Sequence, residues 1–374
     1  MNADVFLIGG GLTSFGEHWN KNIRTLMDEA MSSAINAASI TALDIDVIVV
    51  ANMLGNLINN QSHLGALASS LLPHKPPALR VEAACASGSM AIHTACALLE
   101  SGKAKTALVI GVEKMTDSDA DTISHALMGA ADEEHDQSCA LTFPGIFGLI
   151  AQRYMYEYGL TRDELSLVSA THHRNALDNP FAQFHTEIST DDVSDSAPVA
   201  DPLRLLDCSP ISDGAAACIL SVSETLSQSK GSCIRIAASQ IANDTLSITE
   251  RPVLTSFSAT KDAMERALTE AAISREEIQC IELHDCFSIA ALLNLEDMGF
   301  ADPGKGISFY QQSSLPINKS GGLKACGHPV SATGIKQIID TAKYLKTENR
   351  QWGLAQNFGG VGATCGIHIL ERTV

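Results

Sequence analysis

The sequence predicts an α/β protein made of two similar halves. In the N-terminal half, short apolar segments typical of buried strands alternate with segments whose apolar residues recur at helical spacing. The C-terminal half repeats this order, and a long polar region separates the two. Two α/β units that repeat at so long a period are expected to pack about a pseudo-two-fold axis, with a site where they meet.

Length and composition fit this fold class. The chain has 374 residues, of which 45% are hydrophobic, enough for two domains or one large α/β unit. It contains no uninterrupted apolar stretch of the roughly 18 residues that a membrane span needs. Its N-terminus also lacks the basic start and apolar middle of a signal peptide. We therefore expect a protein without a membrane span that stays in the cytoplasm.

Charge and cysteine content exclude some classes of function. The 25 basic and 43 acidic residues give a formal net charge of −18, which argues against a nucleic-acid partner, because such binding depends on Lys and Arg at phosphates. A phosphorylated cofactor remains possible, since it needs only a local basic patch. The ten cysteines are scattered along the chain and indicate free thiols in a reducing compartment.

The N-terminal half is predicted to begin with a strand over residues 5–8, followed by a plain turn at Gly9 to Gly11. A dinucleotide-binding motif is a weak alternative for this cluster, because Ser14 stands where the third glycine would fall. A helix is predicted over residues 23–38 and a strand over 46–51. Small residues then indicate a tightly packed helix over 87–99, before a buried strand over 106–111.

The C-terminal half is predicted to repeat these elements, with a helix over residues 259–272 and a strand over 280–283. Residues 277–281 match the place of 44–48, and residues 331–358 match 87–111. We expect an N-terminal half over 1–116, an inserted loop region over 117–247 and a C-terminal half over 248–374. Long insertions in compact domains usually bind something, so the inserted region is assigned to substrate or cofactor recognition.

Cys85 is the first candidate for chemistry. It lies where a strand gives way to a helix of small residues. A thiol at a helix N-terminus is expected to have a lowered pKa, which favours the reactive thiolate. The alternative is that Cys85 is one of several inert buried cysteines.

Two groups in the C-terminal half also combine histidine with cysteine. His284 and Cys286 end the strand predicted at 280–283, and residues two apart on a strand face the same side. Cys326 and His328 precede the second small-residue helix. Packed core histidines are an equally good account of each group taken alone. A zinc site made of all four is disfavoured, because ligands one residue apart strain chelation, and we expect no metal.

A glycine-rich turn at residues 357–362 follows the strand predicted at 353–355. Bare backbone N–H groups in such a turn can form an oxyanion hole. A simple tight turn between two central strands explains the same residues.

Taken together, these motifs resemble the thiolases over nearly the whole chain. The resemblance is carried by Cys85 in Ala-Cys-Ala-Ser-Gly, by His328 in Gly-His-Pro-Val-Ser-Ala-Thr-Gly, and by Gly359 with Gly360. The motif His284–Asp285–Cys286–Phe287 resembles thiolases of the sterol-carrier-protein type and archaeal acetyl-CoA acetyltransferases, where commoner thiolases have Asn-Glu-Ala-Phe. Segments 142–145, 172–184 and 212–217 of the inserted region resemble the same subgroup.

The resemblance implies a thiolase-like fold, with two pseudo-symmetric α/β halves in an α-β-α-β-α arrangement, that assembles as a homodimer or homotetramer. It implies acyl transfer between acyl-CoA and coenzyme A, by cleavage of a 3-ketoacyl-CoA or by Claisen condensation, through an acyl group on Cys85. His328 is implied as the base and Cys286 as the acid/base at the alpha carbon. One oxyanion hole would use His328 with a water held by His284, and another the amides of Cys85 and Gly359.

The sequence departs from the thiolase pattern in three places. Asn357 stands where the commoner enzymes have their second cysteine, a role that Cys286 takes in the resembling subgroup. Ser331 replaces a usual glycine, and Cys326 adds a thiol beside His328. These two changes leave the rate and the acyl preference open.

The CoA phosphates are expected on the inserted region, with the stretch His172–His173–Arg174 as the candidate contact and a solvated loop face as the alternative. Two other functions stay open. One is a catalytically inactive thiolase-like partner protein. The other is an acyltransferase with an acceptor other than CoA, working in a larger complex with a synthase or a small accessory subunit.

Overall fold

A computed structural model describes residues 3–222 and 233–373. The strands are β1 (Phe6–Leu12), β2 (Val47–Ala51), β3 (Ala78–Val81), β4 (Thr106–Glu113), β5 (Pro198–Ala200), β6 (Leu203–Arg204), β7 (Gly214–Ser221), β8 (Cys233–Asn243), β9 (Ile281–Glu282), β10 (Trp352–Gly359) and β11 (Thr364–Thr373). The helices are α1 (Ile23–Ala38), α2 (Gly55–Ile58), α3 (Leu64–Ser70), α4 (Ser87–Glu100), α5 (Ala120–Met128), α6 (Phe143–Tyr158), α7 (Arg162–Ala176), α8 (Thr190–Asp195), α9 (Ser258–Ala271), α10 (Ser288–Asp297), α11 (Gly306–Gln312), α12 (Gly322–Cys326) and α13 (Thr333–Thr347). Within the described ranges, no helix has both the length and the apolar character needed to cross a bilayer.

Nine strands form one sheet in the order β3-β2-β4-β7-β1-β8-β11-β10-β9. The first five belong to the N-terminal half and the last four to the C-terminal half. Within the described part of the sheet, the two halves are joined by a short antiparallel pairing of β1 with β8, in which Phe6 faces Arg235 and Leu7 faces Ile234. β2 runs parallel to β3 and β4, and β9 runs parallel to β10, so each half has its own parallel core.

Three apolar clusters show that the layers alternate between helix and sheet. One cluster packs α1 and α3 on strands of the N-terminal half, and another packs α6, α9 and α10 on strands of the C-terminal half. The third contains α4 and α13 together with strand residues from both halves. The α4 and α13 pair is therefore the central layer, which gives the predicted α-β-α-β-α arrangement.

The internal repeat is confirmed by matching local structure. The residues that cap the C-termini of α1 and α9, Ser39 and Ala272, both have a left-handed backbone conformation, with φ of 56° and 55°. Each is followed by a short 3₁₀ turn, at Ala42–Asp44 and Arg275–Glu277, and then by β2 or β9. The helix–strand pairs α4–β4 and α13–β10 likewise occupy equivalent places. Periodicity within each segment was sufficient to predict these elements.

The glycine cluster at residues 9–11 is not a turn, contrary to the sequence prediction, because it lies inside β1. Helix α1 packs too closely for side chains here. A Cβ on Gly9 would lie 2.5 Å from the backbone nitrogen of Ala38, and one on Gly11 would lie 2.4 Å from the carbonyl oxygen of Ala30. These glycines are needed for the close approach of helix and strand.

Between β4 and β7 the chain leaves the main sheet and forms α5 to α8 with a small hairpin of β5 and β6. The insertion is therefore largely helical and narrower than the predicted loop region 117–247, because β7 and β8 belong to the main sheet. Residues 1–2, 223–232 and 374 of the predicted division lie outside the described residues. The domain boundaries themselves stay a prediction.

Candidate active site

Three side chains from distant parts of the sequence converge at one point. The Cys85 sulfur and a ring nitrogen from each of His284 and His328 all lie within 4.8 Å of one another. The two imidazole rings are 5.0 Å apart between centroids and nearly perpendicular. Cys85 lies between β3 and α4, His284 between β9 and α10, and His328 between α12 and α13. Each is thus held just before the first turn of a helix.

The turn that carries Cys85 is tightly fixed. Ala84 has a φ of 50°, a conformation that non-glycine residues rarely adopt. The Ser87 hydroxyl accepts a hydrogen bond from the Ala83 N–H at 2.9 Å and donates one to the Ala84 carbonyl at 2.6 Å. A Cβ on Gly359 would lie 2.3 Å from the Ala83 carbonyl oxygen, so only glycine fits where β10 passes under this turn.

Burial raises the pKa of the Cys85 thiol to about 12, although a hydrogen bond from the Gly360 N–H lowers it. The sequence prediction of a lowered pKa is therefore contradicted. The amides of Ala86 and Ser87 donate to the carbonyls of Ala83 and Ala84 within the turn, which removes them as partners for a thiolate. Cys85 is consequently a thiol at neutral pH and needs a base.

His328 has the tautomer that a base requires. Its Nδ1 lies 2.7 Å from the Thr333 hydroxyl, which itself donates to the Pro329 carbonyl at 3.2 Å. The hydroxyl oxygen must therefore accept from Nδ1–H, which leaves the lone pair on Nε2. Nε2 has no hydrogen-bond partner among the described residues. Burial lowers the pKa of His328 to about 4, so the ring is neutral at neutral pH.

His284 has the opposite tautomer. The Asn357 side-chain NH₂ lies 2.9 Å from its Nδ1 and donates to it, so the ring proton is on Nε2. That Nε2–H finds no partner among the described residues and is available as a donor. Burial and the neighbouring His328 lower the pKa of His284 well below its usual value. The site therefore pairs one imidazole acceptor with one imidazole donor beside the thiol.

Cys286 is buried next to this group. Its carbonyl accepts the Ser209 N–H at 2.8 Å, which fixes its backbone against the inserted region. Burial and the Cys85 thiol raise the pKa of Cys286 well above its usual value, whereas the buried Lys324 ammonium lowers it. Cys286 is therefore protonated at neutral pH and can donate a proton.

Comparison with known proteins identifies the family. The thiolase N-terminal domain matches residues 5–224, and the thiolase C-terminal domain-like family matches residues 240–372. The chain belongs to the thiolase family.

Two full-length relatives are acetyl-CoA acetyltransferases of archaea. The protein of Methanocaldococcus jannaschii is 42% identical over 98% of this chain and 99% of its own length. That of Methanothermobacter thermautotrophicus is 39% identical over 99% of this chain and its whole length. Human sterol carrier protein 2 is 31% identical over 92% of this chain and 66% of its own length. This thiolase is thus a thiolase-type acyltransferase acting on acyl-CoA.

Two solved structures share the fold at 20% sequence identity. The acetyl-CoA acetyltransferase of Syntrophomonas wolfei has a TM-score of 0.78, and each chain is covered completely. The Ltp2-ChsH2(DUF35) aldolase has a TM-score of 0.85, with 98% of this chain and 97% of that chain covered. Both likenesses confirm the thiolase fold.

The stretch His172–His173–Arg174 does not present one basic face in this thiolase. His172 is completely buried, and its Nδ1 lies 2.7 Å from the Asp285 carboxylate. His173 is buried too, stacked on Phe184. These placements argue against a phosphate contact by either histidine. Arg174 is exposed and pairs with Glu187 at 3.3 Å.

Asp285 anchors the loop between His284 and Cys286. Burial opposes its ionisation, but His172 and the Lys324 ammonium hold its pKa at about 2. It also accepts hydrogen bonds from the Asn318 amide at 2.9 Å and from the Leu323 N–H at 2.8 Å. A permanently charged carboxylate therefore fixes the loop that carries both proposed active-site side chains.

The inserted region also holds the segment of His328. The Ser212 hydroxyl accepts the His328 backbone N–H at 3.0 Å and donates to Gln183 at 2.6 Å. The Asn179 amide donates to the Ser320 carbonyl at 2.8 Å and to the Cys326 sulfur at 3.4 Å. The Cys326 sulfur thus contacts Asn179 and the Ser320 carbonyl, and among the described residues it does not join His328 in a group with metal-ligand geometry.

A different set of three residues has metal-ligand geometry, namely Cys85, His284 and His328. Binding of an ion would require the lone pair of His284 on Nε2, and hence a reversed tautomer and a turned Asn357 amide. The protonation pattern of the three groups fits acid–base chemistry instead. The expectation of no metal stays a prediction.

Sequence reasoning missed three residues that define this site. Thr333 sets the tautomer of His328, Asn357 sets that of His284, and the Gly360 amide contacts the Cys85 sulfur. In the sequence, Asn357 shows only as a residue in place of a cysteine, and Gly360 only as part of a glycine-rich turn. Thr333 lies in the quoted histidine motif five residues after His328, and this spacing was the available signal.

Proposed function

We propose that this enzyme transfers an acetyl group between acetyl-CoA and a second acyl-CoA or CoA, with Cys85 as the acyl carrier. Two observations carry the proposal. A ring nitrogen of His328 lies within 4.8 Å of both the Cys85 sulfur and a ring nitrogen of His284, and the Nε2 atom of His328 has no hydrogen-bond partner among the described residues. Acetyl-CoA is proposed as the donor because the two archaeal relatives that match end to end are named for it.

In the first step, Nε2 of His328 accepts the proton of Cys85 while the sulfur attacks the electrophilic carbonyl carbon. This carbon is the 3-keto carbon in the degradative direction and the thioester carbonyl of acetyl-CoA in the condensing direction. A carbon–sulfur bond forms, and the carbonyl electron pair moves to oxygen as an oxyanion. Since the pKa of Cys85 is about 12, proton transfer must accompany attack.

Several donors are available for the oxyanion. The protonated His328 gains an Nε2–H, and His284 already has one, either directly or through the water implied by the family resemblance. The amides of Cys85 and Gly359 stay the proposed second oxyanion hole. The Gly360 amide, which lowers the pKa of Cys85, would stabilise the thiolate as it forms.

Collapse of the oxyanion leaves an acetyl-Cys85 thioester and expels either CoA thiolate or a carbanion at the thioester alpha carbon. The carbanion is proposed to take its proton from the Cys286 thiol, which then recovers a proton from the protonated His328. In the condensing direction these transfers run in reverse, so Cys286 becomes a thiolate by passing its proton to neutral His328 and then removes the alpha proton. Lys324, which lowers the pKa of Cys286, would stabilise that thiolate. In the degradative direction CoA then attacks the acetyl-Cys85 thioester, and His328 accepts its thiol proton and returns a proton to the departing Cys85 sulfur. In the condensing direction the carbanion attacks the thioester instead, forms the carbon–carbon bond and expels Cys85, which takes its proton from His328.

Intact mass after incubation with acetyl-CoA tests the acyl carrier. We expect one added acetyl group on the wild-type chain, none on Cys85→Ser, and one on Cys286→Ala. Cys139→Ser removes an exposed thiol and is the matched control, which should still be acetylated. No adduct on any protein would contradict the proposal and favour a non-CoA system or an inactive family member. Bound zinc in the native mass would favour the metal alternative.

We also propose that the chain forms a homodimer or homotetramer. β3 is an edge strand whose outer side faces no other strand of the described chain, and an unpaired edge favours pairing with a second copy. Light scattering coupled to gel filtration should give a multiple of the chain mass, and a monomer would contradict this. A larger complex with a synthase or accessory subunit would require acyl transfer that appears only when the partner is added.

A further inference from the structure

Ser331 and Glu113 are joined by a buried hydrogen bond that the proposed mechanism does not use. The Ser331 hydroxyl donates to Oε1 of Glu113 at 2.6 Å, and both residues are completely buried. Glu113 ends β4, whereas Ser331 lies between α12 and α13, three residues after His328. The bond therefore connects the N-terminal half to the segment that carries the proposed base.

The Glu113 carboxylate also holds the turn that follows β2. Its Oε1 accepts the Met53 N–H at 2.6 Å, and its Oε2 accepts the Asn52 amide at 3.1 Å and the Leu54 N–H at 3.3 Å. All four partners, Ser331 included, are donors. Only an ionised carboxylate can accept from every one of them, because a protonated one carries a donor of its own.

This turn packs directly beside the reacting groups. Met53 and Leu54 are buried with Val330 in one apolar cluster, and Ala84 and Cys85 pack against it. The Ser331 backbone is in close contact with the N-terminal half as well, since a Cβ on Gly111 would lie 2.2 Å from its carbonyl oxygen and one on Gly88 2.8 Å. A small movement of Ser331 would therefore shift His328 relative to Cys85.

We propose that Glu113 and Ser331 form a positioning pair that holds residues 328–333 where His328 reaches Cys85. The inference rests on the roles proposed above for Cys85 and His328. Because the pair needs an ionised carboxylate, it is intact when Glu113 is charged and weakened when Glu113 is protonated. Acylation of Cys85 should therefore slow as the pH falls through the titration of Glu113.

Burial, opposed by the groups around Glu113, places this titration near neutral pH. Burial raises its pKa to about 7, against the Ser331 hydroxyl, the turn amides and the Arg80 guanidinium, which favour the charged form. The neighbouring Lys114 ammonium is turned away toward Asp213. Charged Glu113 also helps to raise the pKa of Cys85. If this charge effect on Cys85 dominated, protonation of Glu113 would make acylation faster at lower pH. If positioning of His328 dominates, acylation becomes slower, so the sign of the rate change distinguishes the two roles of Glu113.

The test is the rate of Cys85 acetylation by acetyl-CoA across the neutral pH range, followed by mass spectrometry. For wild type we expect a rate that falls below about pH 7, the pKa of Glu113. Ser331→Ala should lower the maximal rate and leave the KM for acetyl-CoA unchanged. It should also move the inflection up by about one pH unit, because the charged form loses a donor. Ser166→Ala, a buried serine on α7, is the matched control and should behave as wild type.

Two carboxamide variants separate Glu113 from another buried carboxylate. Glu282 also has a pKa raised by burial to about 7 and lies two residues before His284. Glu113→Gln should abolish the inflection, and Glu282→Gln should keep it. If the pH–rate profile of Ser331→Ala superimposes on that of wild type, the proposed positioning pair is wrong. This comparison decides the question even if Glu113→Gln does not fold. Wild-type protein that is not acetylated overturns the proposed function itself, a distinguishable result.

Discussion

The Nδ1 atom of His328 lies 2.7 Å from the Thr333 hydroxyl, and this contact leaves the acceptor lone pair of the imidazole on Nε2. The Thr333 hydroxyl can accept from the ring only because its own proton goes to the Pro329 carbonyl. Both groups belong to the first turn of α13 and the residues before it. The entry of one helix therefore orients the base and selects its tautomer.

Thr333→Val should slow acetylation of Cys85 by at least about tenfold, because the ring loses the acceptor that holds its Nδ1–H. Thr333→Ser keeps the hydroxyl and should retain most of the activity. The measurement is the single-turnover acetylation rate with acetyl-CoA. Equal rates for the valine and serine variants would show that the hydroxyl does not select the tautomer.

Cys85 should react slowly with iodoacetamide near neutral pH in the absence of substrate. Burial raises its pKa to about 12, so the thiolate fraction is small until strongly alkaline pH. Cys139 is exposed and serves as the internal control in the same sample. Peptide mass mapping over time should show alkylation of Cys139 first. Faster alkylation of Cys85 would indicate a preformed thiolate.

Cys286→Ala should abolish exchange of the acetyl-CoA alpha protons with D₂O while leaving acetylation of Cys85 intact. The reason is that Cys286 is proposed to handle only the proton at the alpha carbon. Proton NMR of the acetyl methyl signal measures the exchange, and intact mass measures acetylation. Cys326→Ala is the control, since this buried thiol donates to the Ser320 carbonyl away from His328. Normal exchange in Cys286→Ala would refute the assignment.

Buried histidines should make the fold less stable in mild acid. Burial, with repulsion from His93, lowers the pKa of His368 to about 3, against 6.5 for the free side chain. The unfolded chain therefore binds a proton below pH 6.5 that the folded chain does not, so stability present above pH 6.5 is lost as the pH falls. For His368 alone the loss at pH 5 is about 2 kcal/mol.

Urea unfolding at pH 5 and pH 7 measures this loss. His368→Leu should show a smaller difference between the two pH values than wild type, even if it is less stable at both. His125→Asn, at an exposed position on α5, is the control and should keep the wild-type difference. An unchanged pH dependence in His368→Leu would show that this histidine is not responsible.

The repeated elements could be predicted because their signals are local. Helix α1 has the predicted limits of residues 23–38, and α4 and β4 begin where their patterns predicted. Hydrophobic spacing depends only on which face of a segment is buried. The glycine cluster wrongly predicted a turn at residues 9–11. Glycine is needed there because α1 packs closely on β1, and no local sequence pattern shows that packing.

The candidate active-site residues could be named from the sequence, but their protonation states could not. Cys85, His284 and His328 could be nominated from motifs and family resemblance, yet the thiol pKa was predicted in the wrong direction. Desolvation depends on everything that packs around the sulfur and outweighs the local helix effect. The basic stretch that contains His172 likewise predicted a phosphate contact, whereas tertiary packing buries His172 against Asp285.

The sequence by itself determined the class of fold, the two similar halves and the candidates for the nucleophile and its histidine, because these depend on periodicity and short motifs. Only the tertiary structure decided which imidazole accepts and which donates, that both cysteines are protonated, and that Glu113 reaches Ser331 across the two halves. The physical reason is that hydrogen bonding and desolvation depend on neighbours that lie far apart along the chain.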